Sequence, residues 1–428
     1  MDIKTFQPTE YKLKCLECGK EFTEDNHLLA CDEEHKPSFL RTIYPQESFE
    51  IKEDNEGMFR FSQWLPLRKH IKNDGHPVAL KSENLAAKLD LDDLWIVFSG
   101  YWPEQNADMR ACTFKQLEAP PVCSRFLDDP RTIVVASAGN TARAFAEICS
   151  INEIPLLLVV PEVGLDDLWS TSHFSDKVKL VAVTEDADYS DAIELSNIIA
   201  ALPDFVPEGG AKNVARRDGM GTTVLAAVTE SGRIPDHYFQ AVGSGTGGVA
   251  AWEAAIRLAG EGHFGENHMR LHISQNYPFT PLVDAWTRGS KTLFEMDDDV
   301  ARHLIQQTTA HVLSNRKPPY SIAGGVYDAL VNTNGIMYSV TNEEAKAAGE
   351  LFLESEGIDI APAAKVATAS LQQSVEKGLV SKKDMILLNI TGGGQQRLFS
   401  EQKMNYMKPH VIVKRKEISE ETVQKLFG

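Results

Sequence analysis

The strongest constraint on the fold is a repeated alternation of apolar runs with helix-like segments, which starts near residue 78. The runs have the length of strands and are almost continuously apolar, as expected for a parallel sheet with both faces covered. Right-handed crossovers then place the ends of the strands along one edge, where ligands bind in such folds. The predicted strands are 78–81, 94–98, 132–136, 155–160, 178–183, 238–242, 271–274 and 385–390.

The length of 428 residues allows two or three domains. We predict an α/β fold with two open, mostly parallel sheet subdomains and a ligand-binding cleft between them. The smaller α/β domain is expected at 132–234, and the larger domain at 46–131 and 235–428. Residues 1–45 differ in composition and are predicted to form a short ribbon-like segment that contains cysteines.

Charge and apolar content exclude several classes of partner. The net charge of −18 argues against nucleic acid, whose phosphates require a surplus of Lys and Arg. No run approaches the roughly 20 apolar residues of a membrane helix, and the N-terminus has no secretory signal. Six scattered cysteines indicate a reducing cytoplasm rather than a disulfide framework. Because the chain as a whole is acidic, a site for an anionic substrate requires a local group of basic residues.

The N-terminal cysteines raise the question of a metal. Cys15 and Cys18 have the spacing of one zinc-ribbon knuckle, and Cys31 with His27 or His35 could complete four ligands. A second Cys-x-x-Cys is missing, however. The sequence therefore favours a segment without metal over a structural zinc ion.

A glycine-rich loop at 243–248 follows a predicted strand and precedes a convincing helix. Glycines let the backbone approach an anion, and the helix offers unpaired N–H groups and a positive dipole end. A dinucleotide site requires an acidic residue at the end of the next strand, but 271–276 has none. We therefore predict a small phosphorylated cofactor, with a ligand-free turn as the alternative. The cradle residues are Gly243, Ser244, Gly245, Thr246 and Gly247.

Three further side chains follow predicted strands or begin predicted helices. Lys115 lies in a first helical turn between Thr113 and Gln116, which have capping-box spacing, and this position favours a neutral amine. Asn140 lies in a turn after a strand, and Thr391 ends the strand before three glycines. Alone, each has an ordinary structural explanation. Together with the glycine loop they supply what pyridoxal phosphate requires: an amine, an amide, a phosphate cradle and a hydroxyl.

With Lys115, Asn140, Thr391 and the glycine loop taken together, the chain resembles the fold-type-II pyridoxal-phosphate enzymes over about 61–399. Within that family it resembles the threonine synthases and cysteate synthases. The stretches at 98–104, 207–222, 235–248 and 318–330 are similar to cysteate synthases in particular. Threonine synthases normally have Asp-Arg after the lysine, whereas Lys115 is followed by Gln-Leu-Glu. This difference favours the cysteate synthases.

The resemblance implies a role for each matching residue. Lys115 corresponds to the Schiff-base lysine, Asn140 to the asparagine at the cofactor's ring oxygen, and Thr391 to the partner of the pyridine nitrogen. Ser137 and Thr141 are expected to bind the substrate carboxylate. For the anionic groups of the substrates, the cationic candidates in the sequence are Arg143, Lys212, Arg216 and Arg217, with ordinary surface charges as the alternative.

The reaction implied is β-replacement of O-phospho-L-serine by sulfite, which gives L-cysteate and phosphate for coenzyme M synthesis. We expect a homo-oligomer. Three alternatives stay open at this point: a threonine synthase acting on O-phosphohomoserine, a β-replacement enzyme that uses sulfide, and a non-catalytic protein that only holds a phosphorylated ligand.

Overall fold

The computed structural model describes residues 6–23, 27–45, 49–53, 55, 57–73, 75–137 and 139–428. Ala138 of the predicted 137–141 turn, and residues 1–5 and 24–26 of the predicted N-terminal segment, lie outside the described residues. The strands are β1 (Lys12–Cys15), β2 (Glu21–Phe22), β3 (Leu40–Ile43), β4 (Val78–Lys81), β5 (Leu94–Phe98), β6 (Tyr101–Trp102), β7 (Ala107–Asp108), β8 (Thr132–Ala136), β9 (Leu156–Pro161), β10 (Trp169–Ser170), β11 (Val178–Thr184), β12 (Phe205–Pro207), β13 (His237–Ala241), β14 (Arg270–Asn276), β15 (Ile336–Val340), β16 (Ile386–Ile390), β17 (Asn405–Tyr406) and β18 (Val411–Lys414). The helices are α1 (Asn84–Lys88), α2 (Ala119–Ser124), α3 (Asn140–Ile151), α4 (Tyr189–Ala200), α5 (Val214–Ser231), α6 (Thr246–Glu261), α7 (Pro281–Thr287), α8 (Asp298–Gln306), α9 (Val326–Asn332), α10 (Asn342–Glu356), α11 (Pro362–Glu376), α12 (Gln395–Glu401) and α13 (Glu420–Phe427).

The larger sheet has the strand order β15-β14-β13-β16-β5-β4. Neighbouring strands are parallel except for β4, which runs antiparallel to β5. Every residue of β13 and β16 is buried, so both faces of the sheet are covered at its centre. This explains why the central strands are mostly apolar in the sequence instead of alternating with polar residues.

The smaller sheet is parallel throughout, in the order β12-β8-β9-β11-β18. The sequence placed all of 235–428 in the larger domain, but β18 pairs with β11 and buries Val413 against the smaller sheet's core. Helix α5 lies within the stretch predicted as the smaller domain, yet it packs against α6, β4 and β5 of the larger one. Both boundaries therefore differ from the prediction.

The two sheets share one hydrophobic core, in which Leu158 of the smaller sheet and Ile273 of the larger sheet belong to the same buried cluster. The N-terminal strands form an antiparallel sheet, β2-β1-β3, beside this body. Backbone contact between Phe39 and Ala323 and a bond of 2.6 Å from Thr42 Oγ1 to Asp218 Oδ2 attach it. Over the described part of the chain, no helix has the length and apolar character needed to span a bilayer.

Candidate functional site

A cavity of about 520 Å³ lies between the two sheets, in the size range of small-molecule sites. Loops at the carboxyl ends of β8 and β12 line one side, and loops after β13 and β16 line the other. The predicted residues that line it are Lys115, Ser137, Asn140, Thr141, Arg216, Gly243, Ser244, Gly245, Thr246, Gly247 and Thr391. Arg143 and Arg217 do not belong to this lining within the described chain.

Lys115 lies in a short 3₁₀ turn, Phe114–Leu117. Thr113 caps the turn by accepting a bond of 3.4 Å from the Lys115 N–H. The reciprocal bond of the predicted capping box is not formed, because Gln116 Oε1 accepts from the Ala111 N–H instead. The Phe114 N–H donates to the Thr391 carbonyl oxygen over 2.9 Å. This bond fixes the lysine's turn against the end of β16.

Burial is the main cause that lowers the pKa of Lys115 below its ordinary value. The Lys115 Nζ atom lies 3.8 Å from Glu118 Oε2, which raises the pKa, while the nearby Arg216 charge lowers it. The sequence predicted a neutral, partly desolvated amine from the position of Lys115 in a first helical turn, and desolvation is the largest cause of the lowered pKa. A deprotonated amine is the form that can attack a carbonyl carbon.

The glycine loop joins β13 to the 16-residue helix α6. Gly245 has φ of +81°, and a Cβ atom there would lie 2.1 Å from Val326 Cγ2, so this position admits only glycine. The hydroxyl oxygens of Ser244 and Thr246 are 2.7 Å apart. The first N–H groups of an α-helix have no partner within the helix, so the start of α6 at Thr246 is suited to an anion.

The Asn140 turn is held by side chains. Ser137 Oγ accepts bonds of 3.0 Å from the N–H groups of Gly139 and Ala142. Arg143 Nη2 donates to Asn140 Oδ1 over 2.9 Å, which leaves the Nδ2 group of Asn140 as a donor for the cavity. Other Arg143 donors bind the carbonyl oxygens of Ala111 and Asp167, and its guanidinium stacks on a tryptophan.

The arginines predicted to hold substrate anions are already occupied. Arg216 lines the cavity, but Glu118 holds it through bonds of 2.6 and 2.7 Å and Glu208 through a bond of 2.9 Å. Arg217 is buried and binds Glu253 at 2.9 Å and the carbonyl oxygens of Ala211 and Leu40. The geometry therefore does not support direct substrate contact by Arg143 or Arg217, and Arg216 faces the cavity already neutralised.

The sequence reasoning missed the acidic partners of these arginines. Glu118 follows Lys115 by three residues, a spacing that can indicate an ion pair. Glu208 and Glu253 carry no local signal, because their pairing with Arg216 and Arg217 depends on how α5 packs in the fold.

Two lysines supply unpaired positive charge to the cavity. Lys212 and Lys317 line it, are exposed, and form no ion pair with the described residues. The sequence included Lys212 among its cationic candidates but overlooked Lys317. The latter directly precedes the stretch 318–330 that carries part of the resemblance.

Comparison with known proteins identifies the family. The family model described as "Pyridoxal-phosphate dependent enzyme" matches residues 104–392, more than half of the chain. The cysteate synthase of Methanosarcina acetivorans is 47% identical over 403 residues, which cover 94% of this chain and 96% of the relative. The chain belongs to the cysteate synthase family.

Another cysteate synthase, from Methanocella arvoryzae, is 47% identical over 423 residues, or 98% of this chain and 100% of the relative. Among solved structures, maize serine racemase has a TM-score of 0.56 and 14% identity, with 76% of this chain and 91% of that chain covered. That likeness extends to the fold alone. The predicted fold class, family and cofactor are confirmed.

The residues present fit pyridoxal phosphate. A partly buried amine with a lowered pKa, a glycine loop at a helix N-terminus, an amide donor and a strand-end hydroxyl all line one cavity. Lys115 would bind the aldehyde, the loop at Gly243–Gly247 the phosphate, Asn140 the ring oxygen and Thr391 the ring nitrogen. Each donor matches the group that it would meet in charge and in hydrogen-bonding capacity.

Proposed function

We propose that this member of the cysteate synthase family replaces the phosphate of O-phospho-L-serine with sulfite, giving L-cysteate and inorganic phosphate. The β-carbon–oxygen bond breaks and a β-carbon–sulfur bond forms. The observation that carries the proposal is the partly buried Lys115 amine in the same cavity as the glycine loop and Thr391, in a chain of this family. The product would supply coenzyme M synthesis.

Lys115 is the residue proposed to move the proton. When bound, pyridoxal phosphate withdraws electrons from the substrate's α-carbon, which acidifies the α-hydrogen and promotes loss of the β-substituent. Lys115 Nζ, whose pKa is lowered mainly by desolvation, accepts the α-proton in its unprotonated form and later returns it to the same carbon. Glu118, 3.8 Å away, stabilises the ammonium that exists between these two transfers.

Two hydroxyls are proposed to hold the substrate carboxylate. Ser137 Oγ already accepts two backbone N–H groups, and Thr141 Oγ1 accepts from Arg216 Nη2 over 3.1 Å. Each oxygen therefore has its own O–H left to donate, and both side chains line the cavity. Thr391 would present a neutral hydroxyl to the ring nitrogen, and a neutral partner would favour that nitrogen without a proton.

Lys212 and Lys317 are proposed to attract the phosphate of the first substrate and the sulfite. Both substrates are strongly anionic, and the chain carries a net charge of −18. Exposed ammonium groups at the cavity can offset this field locally. Arg216 is then a positioning residue, because its hydrogen bonds hold the side chains of Glu118, Glu208 and Thr141 in place.

The test is a product assay on the protein loaded with pyridoxal phosphate. With O-phosphoserine, we expect cysteate and phosphate in equal amounts only when sulfite is present, and neither product from Lys115→Ala. Threonine formed from O-phosphohomoserine without sulfite would support a threonine synthase instead. Cysteine formed from sulfide at a comparable rate would point to the sulfide-using alternative.

Location and assembly are part of the same proposal. Every cysteine is a free thiol, which fits a reducing cytoplasm. We propose a homo-oligomer, and sedimentation of the purified protein at several concentrations tests it: a monomer at every concentration would contradict this part.

A further inference from the structure

The N-terminal sheet brings together four side chains of the type that binds zinc: Cys15, Cys18, Cys31 and His35. Their ligand atoms all lie within 4.8 Å of one another. Cys15 Sγ is 3.3 Å from His35 Nε2, and Cys18 Sγ is 3.7 Å from Cys31 Sγ. Tetrahedral zinc, with bonds of about 2.3 Å to sulfur and about 2.0 Å to nitrogen, holds neighbouring ligand atoms about 3.5–3.8 Å apart.

We propose that these four residues bind one Zn²⁺ ion in a closed, structural Cys₃His site. The sequence favoured a segment without metal because a second Cys-x-x-Cys is missing. In the folded chain, Cys31 and His35 supply the missing half of the site. His27, the other histidine considered, stacks on Phe126 at a centroid distance of 3.9 Å and lies outside the cluster.

The first two ligands are placed by a tight turn at the end of β1. The Gly19 N–H donates to the Cys15 carbonyl oxygen over 3.0 Å, and the Cys15 N–H donates to that of Lys20 over 2.9 Å. Gly19 has φ of +77°, in the left-handed region that favours glycine. A Cys-x-x-Cys-Gly turn of this kind brings two sulfurs to the same side of the hairpin.

The fourth ligand has the hydrogen bond that zinc-binding histidines use. His35 Nδ1 lies 2.6 Å from the Lys36 carbonyl oxygen, so the Nδ1–H donates there and the Nε2 lone pair faces the sulfurs. Lys20 Nζ bonds to Asp32 and Glu33, each at 2.7 Å, and ties the first turn to the second pair of ligands. With four protein ligands no position is left for water, which makes the site structural rather than catalytic.

The site also bears on the cavity. Leu29 lies between Cys18 and Cys31 in the chain and lines the cavity wall. A Cβ atom on Gly209 would lie 2.4 Å from Leu29 Cδ2, so the leucine is in direct contact with the loop that follows β12. A metal that fixes the segment between Cys18 and Cys31 would therefore fix one wall of the cavity.

The experiment is metal analysis of the full chain purified without chelator from zinc-supplemented medium. We expect about one zinc per chain in the wild type, and less than about a tenth of that in Cys18→Ser/Cys31→Ser, since both removed thiolates are ligands. Because both cysteines lie at or near the surface, the variant is expected to fold. His27→Asn is the matched control for His35→Asn, and only the latter should lose metal.

Cobalt substitution gives a second readout that is independent of activity. We expect sulfur-to-cobalt charge-transfer absorption in the wild type and its loss in the double cysteine variant. Hydrogen exchange of residues 13–45 should speed up when a chelator removes the metal. A wild type that takes up neither zinc nor cobalt would overturn the proposal. So would equal metal content in the wild type and the double variant, or a disulfide between Cys18 and Cys31 found by thiol titration without reductant.

Discussion

The floor of the cavity is formed by Lys115, Glu208 and Arg216 together with Glu118, which pairs with Lys115 and Arg216. Lys115 is partly buried, the other three are buried, and these charged groups engage one another. At its rim (Lys212 and Lys317) the charges are exposed, with no ion pair to any described residue. The same residue types therefore have different uses. A buried cation held by two carboxylates fixes the shape of the floor, whereas an unpaired exposed cation remains available to a ligand.

This difference between floor and rim indicates how an acidic protein can accept anionic substrates. The buried arginines that look best for the task in sequence are the ones whose donors are already used. Under the proposed function, the selection of anions depends on the rim, and the covalent chemistry depends on the floor. Substitutions at the floor and at the rim should therefore have different effects.

The largest effect is expected for Glu118→Ala on the floor. Removing one carboxylate leaves Arg216 buried with a weaker partner, so the free energy of unfolding should fall by about 3–5 kcal/mol. Urea denaturation of the protein measures it. The matched control is Glu350→Ala, which breaks the exposed pair with Lys346 and should leave stability almost unchanged. Small, equal effects of both substitutions would show that the floor is not a tightly coupled network.

At the rim, Lys212→Ala and Lys317→Ala should each raise KM for O-phosphoserine about tenfold, with kcat little changed, because each removes attraction made before the reaction. Added salt should raise KM more in the wild type than in the double variant. Lys346→Ala, an exposed lysine remote from the cavity lining, is the control. An unchanged KM in the double variant would contradict a role of the rim in anion selection and would point to the floor instead.

A smaller effect concerns the pH at which the apoprotein captures pyridoxal phosphate. Only the unprotonated amine reacts, and burial lowers the pKa of Lys115 below its ordinary 10.5. The capture rate should therefore rise with pH, with a midpoint below 10.5, and level off above that midpoint. For an exposed amine such as acetyl-lysine methylamide, the midpoint should lie at the ordinary value of about 10.5. Stopped-flow absorbance measures the rate. A midpoint at or above 10.5 would mean that the floor does not desolvate this amine.

Local patterns predicted much of the body of the fold. The apolar runs at 78–81, 94–98 and 132–136 coincide with β4, β5 and β8. For β5 and β8 the signal is strong because most of their residues are buried, whereas β4 is a less buried edge strand. Lys115, Asn140, Thr391 and the glycine loop at 243–248 meet at one cavity. For the last three this is expected, because their loops follow the carboxyl ends of parallel strands.

Features that depend on distant partners were not predictable in this way. The return of β18 to the smaller sheet and the pairing of Arg217 with Glu253 join residues far apart in the chain, and no local pattern records them. His35 likewise completes the cysteine cluster only through the fold. The residues that bear charge could be found in the sequence, but which of them remain unpaired could not.

The most direct test is reduction of the enzyme loaded with pyridoxal phosphate by borohydride, followed by peptide mapping. Reduction makes the covalent link between the cofactor and its lysine permanent, so the modified residue can be identified by mass spectrometry. The account predicts that the adduct lies on Lys115, the amine of the cavity floor. An adduct on Lys212 or Lys317 instead would contradict the assignment of the chemistry to the floor and of charge recognition to the rim.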